Sequence, residues 1–283
     1  MNATCGLLER KRPHSDAAKR RLLSVRGEPL FFSDWLRAVF IHYEVEPEVL
    51  QPFVPFPLDL RDGKAYISLV AFTMRGLRPK LGGLPGELLF RPVATHGLLN
   101  VRTYVNYQGE QGICFLSEWI PNRLSAFIGP RTFGLPYRLG KLNYWHHHET
   151  GEVDGTVTAG PHCLAYSAKM SPSTPLHVCA TNSLEEFLME RYTAFTSFGS
   201  KRRFFRIWHP PWLQSSIDAE VVDDGLLQAN FPWFRHARQI GANYSPGVEN
   251  VWMGRPHAVQ ENRQSADPRL RVAVVDRQDS RRA

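Results

Sequence analysis

The feature that most constrains the fold is an alternating run between Leu99 and Tyr107. Its odd-numbered positions lean apolar and its even-numbered positions are polar: Leu99, Val101, Thr103 and Val105 against Asn100, Arg102, Tyr104 and Asn106. A period of two predicts a half-buried strand. Gln108-Gly109-Glu110 predicts a tight turn and residues 112–116 the return strand. The polar positions form either a solvated face or the polar floor of a pocket, and the pattern leaves both open.

The rest of the chain predicts further short strands and few helices. The predicted strands cover residues 35–45, 64–74, 138–148, 153–157, 163–170, 203–208 and 213–222. The predicted helices are a short one from Pro47, residues 123–128 after an Asn122 cap, a helix opened by a capping box at Ser183 to Glu186, and residues 225–231. Residues 76–92 are predicted to be a loop, and residues 232–259 show no clear period. Many strands without βαβ alternation predict an antiparallel sheet closed into a barrel or sandwich.

Charge is concentrated at the two ends of the 283-residue chain. Residues 1–28 contain seven Lys and Arg and three acidic residues. Residues 260–283 contain six Arg and four acidic residues, and the net charge of the whole chain is +7. We therefore predict disordered basic tails at 1–28 and 260–283, and one domain over 29–259. A nucleic-acid-binding domain concentrates basic charge on its folded surface. The nearly neutral middle predicts no nucleic-acid partner.

Cysteine usage and hydropathy bear on the compartment. The four cysteines Cys5, Cys114, Cys163 and Cys179 show no C-x-x-C spacing, which predicts reduced structural thiols. The sequence shows no secretory apolar region and no run as long as a membrane span. We expect a cytoplasmic protein with no membrane partner, and homo-oligomerisation stays open.

Common cofactor motifs are missing, since we find no G-x-G-x-x-G after a strand, no P-loop and no G-x-S-x-G elbow. No cofactor is predicted. His146 and His148 would share one face of a strand, and with His162 or His209 they could start a metal site. Exposed polar residues are ordinary at such a strand end, so no metal is predicted and the question stays open.

Two further groups of residues are candidates for a site. One is a polar and aromatic set near the C-terminal strands, comprising Arg191, Tyr192, His209, Trp212 and Gln214. It reads as either the edge of the core or the lining of a pocket. The other is a rigid bend at Gly134 and Pro136 that presents Tyr137 and Arg138 at a strand start. An ordinary helix-to-strand turn is the alternative there.

Four segments resemble, in order, the uncharacterised bacterial YqjF-like family, a domain of unknown function. They are residues 100–105, 131–137, 184–192 and 209–212, and the resemblance spans roughly residues 33–230. That family is placed with the acetoacetate-decarboxylase-like superfamily. The resemblance implies a mainly β fold, an antiparallel β-barrel with a central cavity and a few peripheral helices.

The decarboxylases carry a G-R-E…P-K-K element whose first lysine forms a Schiff base with the substrate. Tyr137 stands at that lysine's position and Arg138 at that of its cationic neighbour. A phenol cannot form an imine. Lys141 would lie roughly 13 Å further along a strand. The known Schiff-base route is therefore disfavoured.

The expected ligand is a small carboxylate or carbonyl compound held in the barrel cavity. Arg102 and Arg131 are the predicted anion clamps, because guanidinium pairs with carboxylate through two hydrogen bonds. The residues expected to act chemically are Tyr137, Arg138 and Arg131. Those expected to contact the ligand are Asn100, Arg102, Tyr104, Arg191 and His209.

Different classes of function remain open at this point. One is an enzyme of lyase, isomerase or hydrolase type that works through Tyr and Arg. Another is a non-catalytic ligand-sensing or protein-interaction module on the same fold. A third, structural possibility is that the aromatic segment 231–259 packs against a partner chain, with four anchors: Trp233, Phe234, Tyr244 and Trp252.

Overall fold

The computed structural model describes residues 13–259, which are mostly β-strand. The strands are β1 Phe31–Val45, β2 Ala65–Pro79, β3 His96–Tyr107, β4 Glu110–Ile120, β5 Tyr137–Leu139, β6 Lys141–His147, β7 Glu152–Ala159, β8 His162–Lys169, β9 His177–Val178, β10 Thr193–Phe198, β11 Lys201–Trp208, β12 Leu213–Asp223, β13 Arg238–Met253 and β14 His257–Ala258. The α-helices are α1 Pro13–Leu23, α2 Pro47–Leu50, α3 Gly83–Phe90, α4 Arg123–Thr132, α5 Leu184–Met189 and α6 Gly225–Asn230. Short 3₁₀ turns cover Gln51–Phe53, Arg91–Val93 and Phe234–His236.

Seven strands form a closed ring. Their order is β11, β10, β4, β3, β2, β1, β13, and β13 pairs back to β11 at Ile207↔Met253 and Trp208↔Trp252. The pairs are antiparallel except β10 with β4, and β5 also joins β4 in parallel. This ring, with a few helices around it, confirms the predicted mainly β fold, although the sheet is mixed.

The inside of the ring holds one of two apolar clusters. Every ring strand contributes to it, for example through Phe40, Val70, Leu98, Ile113, Ala194, Phe205 and Val251. The other cluster also includes residues of β7, β8 and β12, which lie outside the ring, so the present cluster is the one in the ring interior. The side chains one position along each strand point outward.

A second layer covers part of the outer face of the ring. Strands β12, β8, β7 and β6 continue the sheet beyond β13, and β6 contacts β1, β3 and β4. The Tyr144 hydroxyl donates to the Leu98 carbonyl at 2.9 Å. Trp119, Val157 and Leu164 belong to the apolar cluster between the layers. The ring wall is therefore buried on both sides here.

The prediction missed strands and a helix. β13, the longest strand, lies in the segment for which no period was found. Residues 242–245 are buried on both faces, so polar and apolar side chains do not alternate there. β10 was also missed. In the predicted loop 76–92, β2 continues to Pro79 and α3 follows.

The predicted N-terminal disordered tail is wrong for residues 13–28. Leu22 is 0% exposed, and α1 packs on β11. Ser15 Oγ donates to the His209 carbonyl at 3.1 Å and accepts from Trp208 Nε1 at 3.1 Å. The prediction failed because α1 is mostly basic and polar in composition and makes only a few buried contacts. Residues 1–12 and 260–283, with Cys5 and the rest of both predicted tails, lie outside the described residues.

Three of the four proposed partner anchors are buried inside the chain itself. Trp233, Phe234 and Tyr244 are 1%, 6% and 0% exposed, so their prediction as interface residues is wrong. Trp252 packs against Trp208 with ring centroids 4.7 Å apart. Between residues 13 and 259, no helix has the length and apolar character needed to span a bilayer. Cys114, Cys163 and Cys179 are free thiols.

Candidate functional site

The polar side of β3 faces the interior of the ring. Leu98 and Tyr104 belong to the interior cluster, so Asn100 and Arg102, at alternate positions between them, share that face. Asn100 is 5% exposed and Arg102 is 7% exposed. Of the two interpretations that the sequence left open, the structure shows a buried polar floor rather than a solvated face.

Strand register extends this floor into a row of polar side chains. Asn100 pairs with Glu118 across β3 and β4, and Glu118 pairs with Tyr137 across β4 and β5. Directly paired residues place their side chains on the same side of a sheet. Asn100, Glu118 and Tyr137 therefore form a continuous row along the interior wall.

Three atoms of this floor are buried without a hydrogen-bond partner among the described residues: Asn100 Oδ1, Arg102 Nε and Glu118 Oε2. An unpaired buried polar atom costs about 1–3 kcal/mol. Arg102 is otherwise held in place, because its Nη2 donates to the Leu188 carbonyl at 3.0 Å and its guanidinium lies 5.6 Å from the centre of the Phe40 ring. The wall thus presents a donor, an acceptor and a carboxyl group that the protein leaves unmatched.

Burial sets the protonation state of the acidic groups in the row. It raises the pKa of Glu118 to about 8, so this carboxyl group is mostly protonated at neutral pH and can donate a hydrogen bond. Burial, and then the nearby Glu118 carboxylate, raise the pKa of Tyr137 well above its ordinary value. Tyr137 is therefore a neutral phenol.

The position of Tyr137 depends on a glycine in α4. A Cβ on Gly129 would lie 2.4 Å from Tyr137 Cε2, so a larger residue would push the ring away. Asn122 caps α4 by accepting from the Ser125 amide at 2.9 Å. Gly134 adopts a φ of +74° in the bend before β5. The cap and the bend were both predicted from the sequence.

A chain of hydrogen bonds crosses the adjoining wall at His42. Its Nδ1 lies 2.7 Å from Ser68 Oγ and its Nε2 lies 3.1 Å from Asn243 Oδ1. The amide of Asn243 donates to Gln214 at 2.7 Å, so its oxygen faces His42 and accepts from Nε2–H. Ser68 then donates to Nδ1. Burial, followed by the positive charge of Arg102, lowers the pKa of His42 to about 3, so the ring is neutral.

A pocket of about 240 Å³ opens to this wall between α5 and strands β12 and β13. Its lining includes His42, Asn243, Leu188, Glu185, Ile217 and Ile240. The Leu188 carbonyl accepts from both Arg102 Nη2 and the Tyr104 hydroxyl, the latter at 2.8 Å. Helix α5 therefore forms one side of the pocket and also holds two interior side chains.

Two predicted site residues do not reach the interior. Arg131 is exposed, and its Nη1 donates to the Phe127 carbonyl of its own helix at 2.7 Å. Arg138 is exposed, one position from the inward-facing Tyr137, and donates to Asn230 Oδ1 at 2.7 Å. The predicted clamp of Arg102 with Arg131, and the placement of Arg138 within the site, are corrected accordingly.

Arg191 and His209 are buried but engaged with other groups. Arg191 forms an ion pair with Asp59 at 2.8 Å. His209 Nδ1 lies 2.8 Å from the Pro210 carbonyl, and its ring stacks on Tyr192 at 4.8 Å. Burial lowers the pKa of His209 to about 4. Both residues therefore lie at the edge of the core, where their polar groups bond to the protein.

Sequence reasoning missed Glu118, His42 and Asn243. Glu118 could have been found, because it is the only acid in the mostly apolar run 112–120, which the hairpin places opposite β3 with Glu118 facing Asn100. The contact of His42 with Asn243 joins residues 201 positions apart. No local pattern signals such a contact.

The histidine run does not form a metal centre. Within residues 13–259, no group of three or more His, Cys, Asp or Glu is arranged to hold a metal. His146 is engaged at both ring nitrogens, with the Arg37 carbonyl and the Tyr166 hydroxyl, each at 2.7 Å. His148 Nδ1 lies 3.0 Å from the Tyr244 hydroxyl.

Solved structures with this fold include acetoacetate decarboxylases and an enduracididine biosynthesis enzyme. The acetoacetate decarboxylase of Legionella pneumophila is 13% identical, with a TM-score of 0.57 over 82% of this chain and 88% of that chain. The enduracididine biosynthesis enzyme MppR with HEPES bound is 13% identical, with a TM-score of 0.59 over 83% and 89%. At such identity the likeness establishes the fold.

The family is identified by sequence. The model of DUF2071, described as an uncharacterized conserved protein, matches residues 33–249. The uncharacterized protein YqjF of Bacillus subtilis (strain 168) is 32% identical over 202 residues, which is 69% of this chain and 79% of YqjF. The chain therefore belongs to the DUF2071 family, on an acetoacetate-decarboxylase-like fold.

Proposed function

We propose that the ring interior binds a small carboxylate or carbonyl compound. The observation that carries this proposal is the set of three unpaired buried atoms on neighbouring strands: Asn100 Oδ1, Arg102 Nε and Glu118 Oε2. Arg102 and protonated Glu118 are donors, so they call for acceptor oxygens on the ligand. Asn100 Oδ1 calls for a hydroxyl or an amine. A small hydroxy acid meets both needs, and a keto acid meets the first.

A relative by fold supports this class of ligand. A solved structure of MppR is complexed with pyruvate, at 12% identity and a TM-score of 0.57. Pyruvate joins a carboxylate to a ketone in one small molecule. The role of Arg102 and Glu118 in the present chain is argued from their own geometry.

An enzyme is favoured over a sensing module by the pairing of Glu118 with Tyr137. A carboxyl group whose pKa is raised to about 8 can give and take a proton near neutral pH. We propose acid–base chemistry on the bound carbonyl compound, of lyase or isomerase type. No lysine is buried among residues 13–259, and Lys141 is exposed, so the route does not use an interior amine.

Binding is tested by thermal unfolding with pyruvate, lactate and acetoacetate against their uncharged methyl esters. We expect the free acids to raise the Tm by about 3 °C or more. Arg102→Gln should abolish the shift, and Arg102→Lys should weaken it because the directed Nε–H is lost. The matched control is Arg131→Gln, which removes the same charge on the exposed surface and should leave the shift intact. A shift that survives in both Arg102 variants, or no shift with any acid, contradicts the proposal.

Catalysis is tested separately by NMR in D₂O. An enzyme should exchange the protons next to the carbonyl of a bound keto acid, and Glu118→Gln should lose this exchange while retaining affinity. Binding without exchange in the wild-type protein would instead establish a sensing module.

A further inference from the structure

One surface of the protein carries an unusual density of exposed apolar side chains. Seven large ones lie on α3, on α4 and just before α3: Leu81, Leu84, Leu88, Leu89, Leu124, Phe127 and Ile128. Leu84 is 81% exposed and Leu88 is 67% exposed. We call this set the leucine face. Apolar side chains grouped in this way mark an interaction surface.

The two helices of the leucine face share neighbouring residues. Phe31 contacts Phe90 at the end of α3 and Phe133 at the end of α4, with ring centroids 5.2 and 6.1 Å away. Asn122 Nδ2, at the start of α4, donates to the Pro92 carbonyl at 2.6 Å. The C-terminal end of α3 and helix α4 therefore lie in the same region of the protein, and we treat their exposed side chains as one surface.

Positive charge is concentrated in the two segments that carry the leucine face. Residues 76–94 and 121–135 contain five cations, Arg78, Lys80, Arg91, Arg123 and Arg131, and a single acid, Glu87. All but Arg78 are exposed. The guanidinium of Arg131 lies 3.9 Å from the centre of the Phe127 ring, so a cation and an apolar group share one site.

We propose that the leucine face docks onto the surface of a membrane that contains anionic lipids. Apolar side chains enter the boundary between head groups and acyl chains, and the surrounding Lys and Arg contact lipid phosphates. A second copy of the chain is disfavoured as the occupant, because two such faces would bring two positive rims together. The proposal replaces the sequence-based expectation of no membrane partner and is independent of the proposed ligand site.

The test is sedimentation of the full chain with vesicles of phosphatidylcholine, alone or with about 30% phosphatidylglycerol. We expect at least about tenfold stronger partitioning onto the anionic vesicles, weakened by salt. The double variant Leu84→Asp/Leu88→Asp should lower that partitioning by more than about tenfold. The control Val222→Asp changes an apolar residue that is 65% exposed on β12 and should have no effect.

Three results would overturn the proposal. The first is equal or absent binding to the two kinds of vesicle. The second is anionic binding that persists in the double variant, which would assign the attraction to basic segments elsewhere in the chain. The third is a dimer in light scattering that the double variant abolishes, with no vesicle binding, which would make a second copy the occupant.

Discussion

The two faces of β3 are both buried, yet they differ in how completely their polar atoms are paired. On the outer face, Leu99 and Val101 pack against the second layer, and the polar His146 between the layers has both ring nitrogens bonded. On the inner face, Asn100 and Arg102 each keep an unpaired buried atom. Ser117 Oγ, which shares the outer face with Val101, is also buried without a partner. The inner face differs because three such atoms lie on neighbouring strands, and we take this grouping, rather than burial alone, as the mark of a site.

The largest expected difference between the two faces is between substitutions at two consecutive residues of β4, Trp119 on the outer face and Glu118 on the inner face. Trp119 is 1% exposed in the outer cluster. We expect Trp119→Ala to lower the free energy of unfolding by about 3–5 kcal/mol, because it leaves a large cavity. Urea unfolding at pH 7 measures this. A loss below about 1 kcal/mol would show that the outer layer is not close-packed.

Substitution of Glu118, one residue earlier on the inner face, should raise the free energy of unfolding instead of lowering it. Its folded-state pKa is raised from 4.5 to about 8. Between these values the unfolded chain loses the proton while the folded chain keeps it, so stability falls as pH rises through this window. Glu118→Gln removes that loss and should gain on the order of 3 kcal/mol over the wild type between pH 4.5 and pH 9. A difference that does not change with pH would mean that Glu118 is ionised in the folded protein.

Asn100→Leu should produce a smaller gain in stability together with a loss of function. It removes an unpaired buried oxygen and adds apolar contact, so we expect the free energy of unfolding to rise by about 1 kcal/mol. The thermal shift produced by small keto acids should disappear. A clear destabilisation would show that the Asn100 side chain is needed by the fold itself.

The smallest expected effect is that of Arg131→Gln on the exposed end of α4. Its guanidinium donates to a carbonyl of its own helix, so the free energy of unfolding should change by less than about 0.5 kcal/mol. If this variant also lost the response to ligand, the site would have to extend beyond the ring interior. Urea unfolding and the thermal-shift panel together check both points.

Local signals allowed several features to be predicted. The alternation of residues 99–107 and the glycine turn predicted the β3–β4 hairpin, because strand period and turn geometry depend on residues that are adjacent in sequence. The cap at Ser183 was likewise predicted, and its Oγ accepts from the Glu186 amide at 3.1 Å. The Glu186 carboxylate bonds to the Asn182 amide instead of returning to Ser183.

Non-local features were missed for a physical reason. β13 is buried on both faces at its centre, so it lacks a period, and its pairing with β1 brings together residues some 200 positions apart. The resemblance to decarboxylases pointed to Tyr137, and the structure places it beside Glu118. It also pointed to Arg131 and Arg138, whose side chains turn away because helix packing and strand alternation decide their direction.

A high-resolution crystal structure of the protein soaked with pyruvate tests the central claim most directly. The account predicts ligand density in the ring interior, with an oxygen within hydrogen-bond distance of Arg102 Nε and of Glu118 Oε2. The contradicting result is an interior without ligand in which Asn100, Arg102 and Glu118 pair with one another or with other side chains. In that case the inner face of β3 would be a core like the outer one.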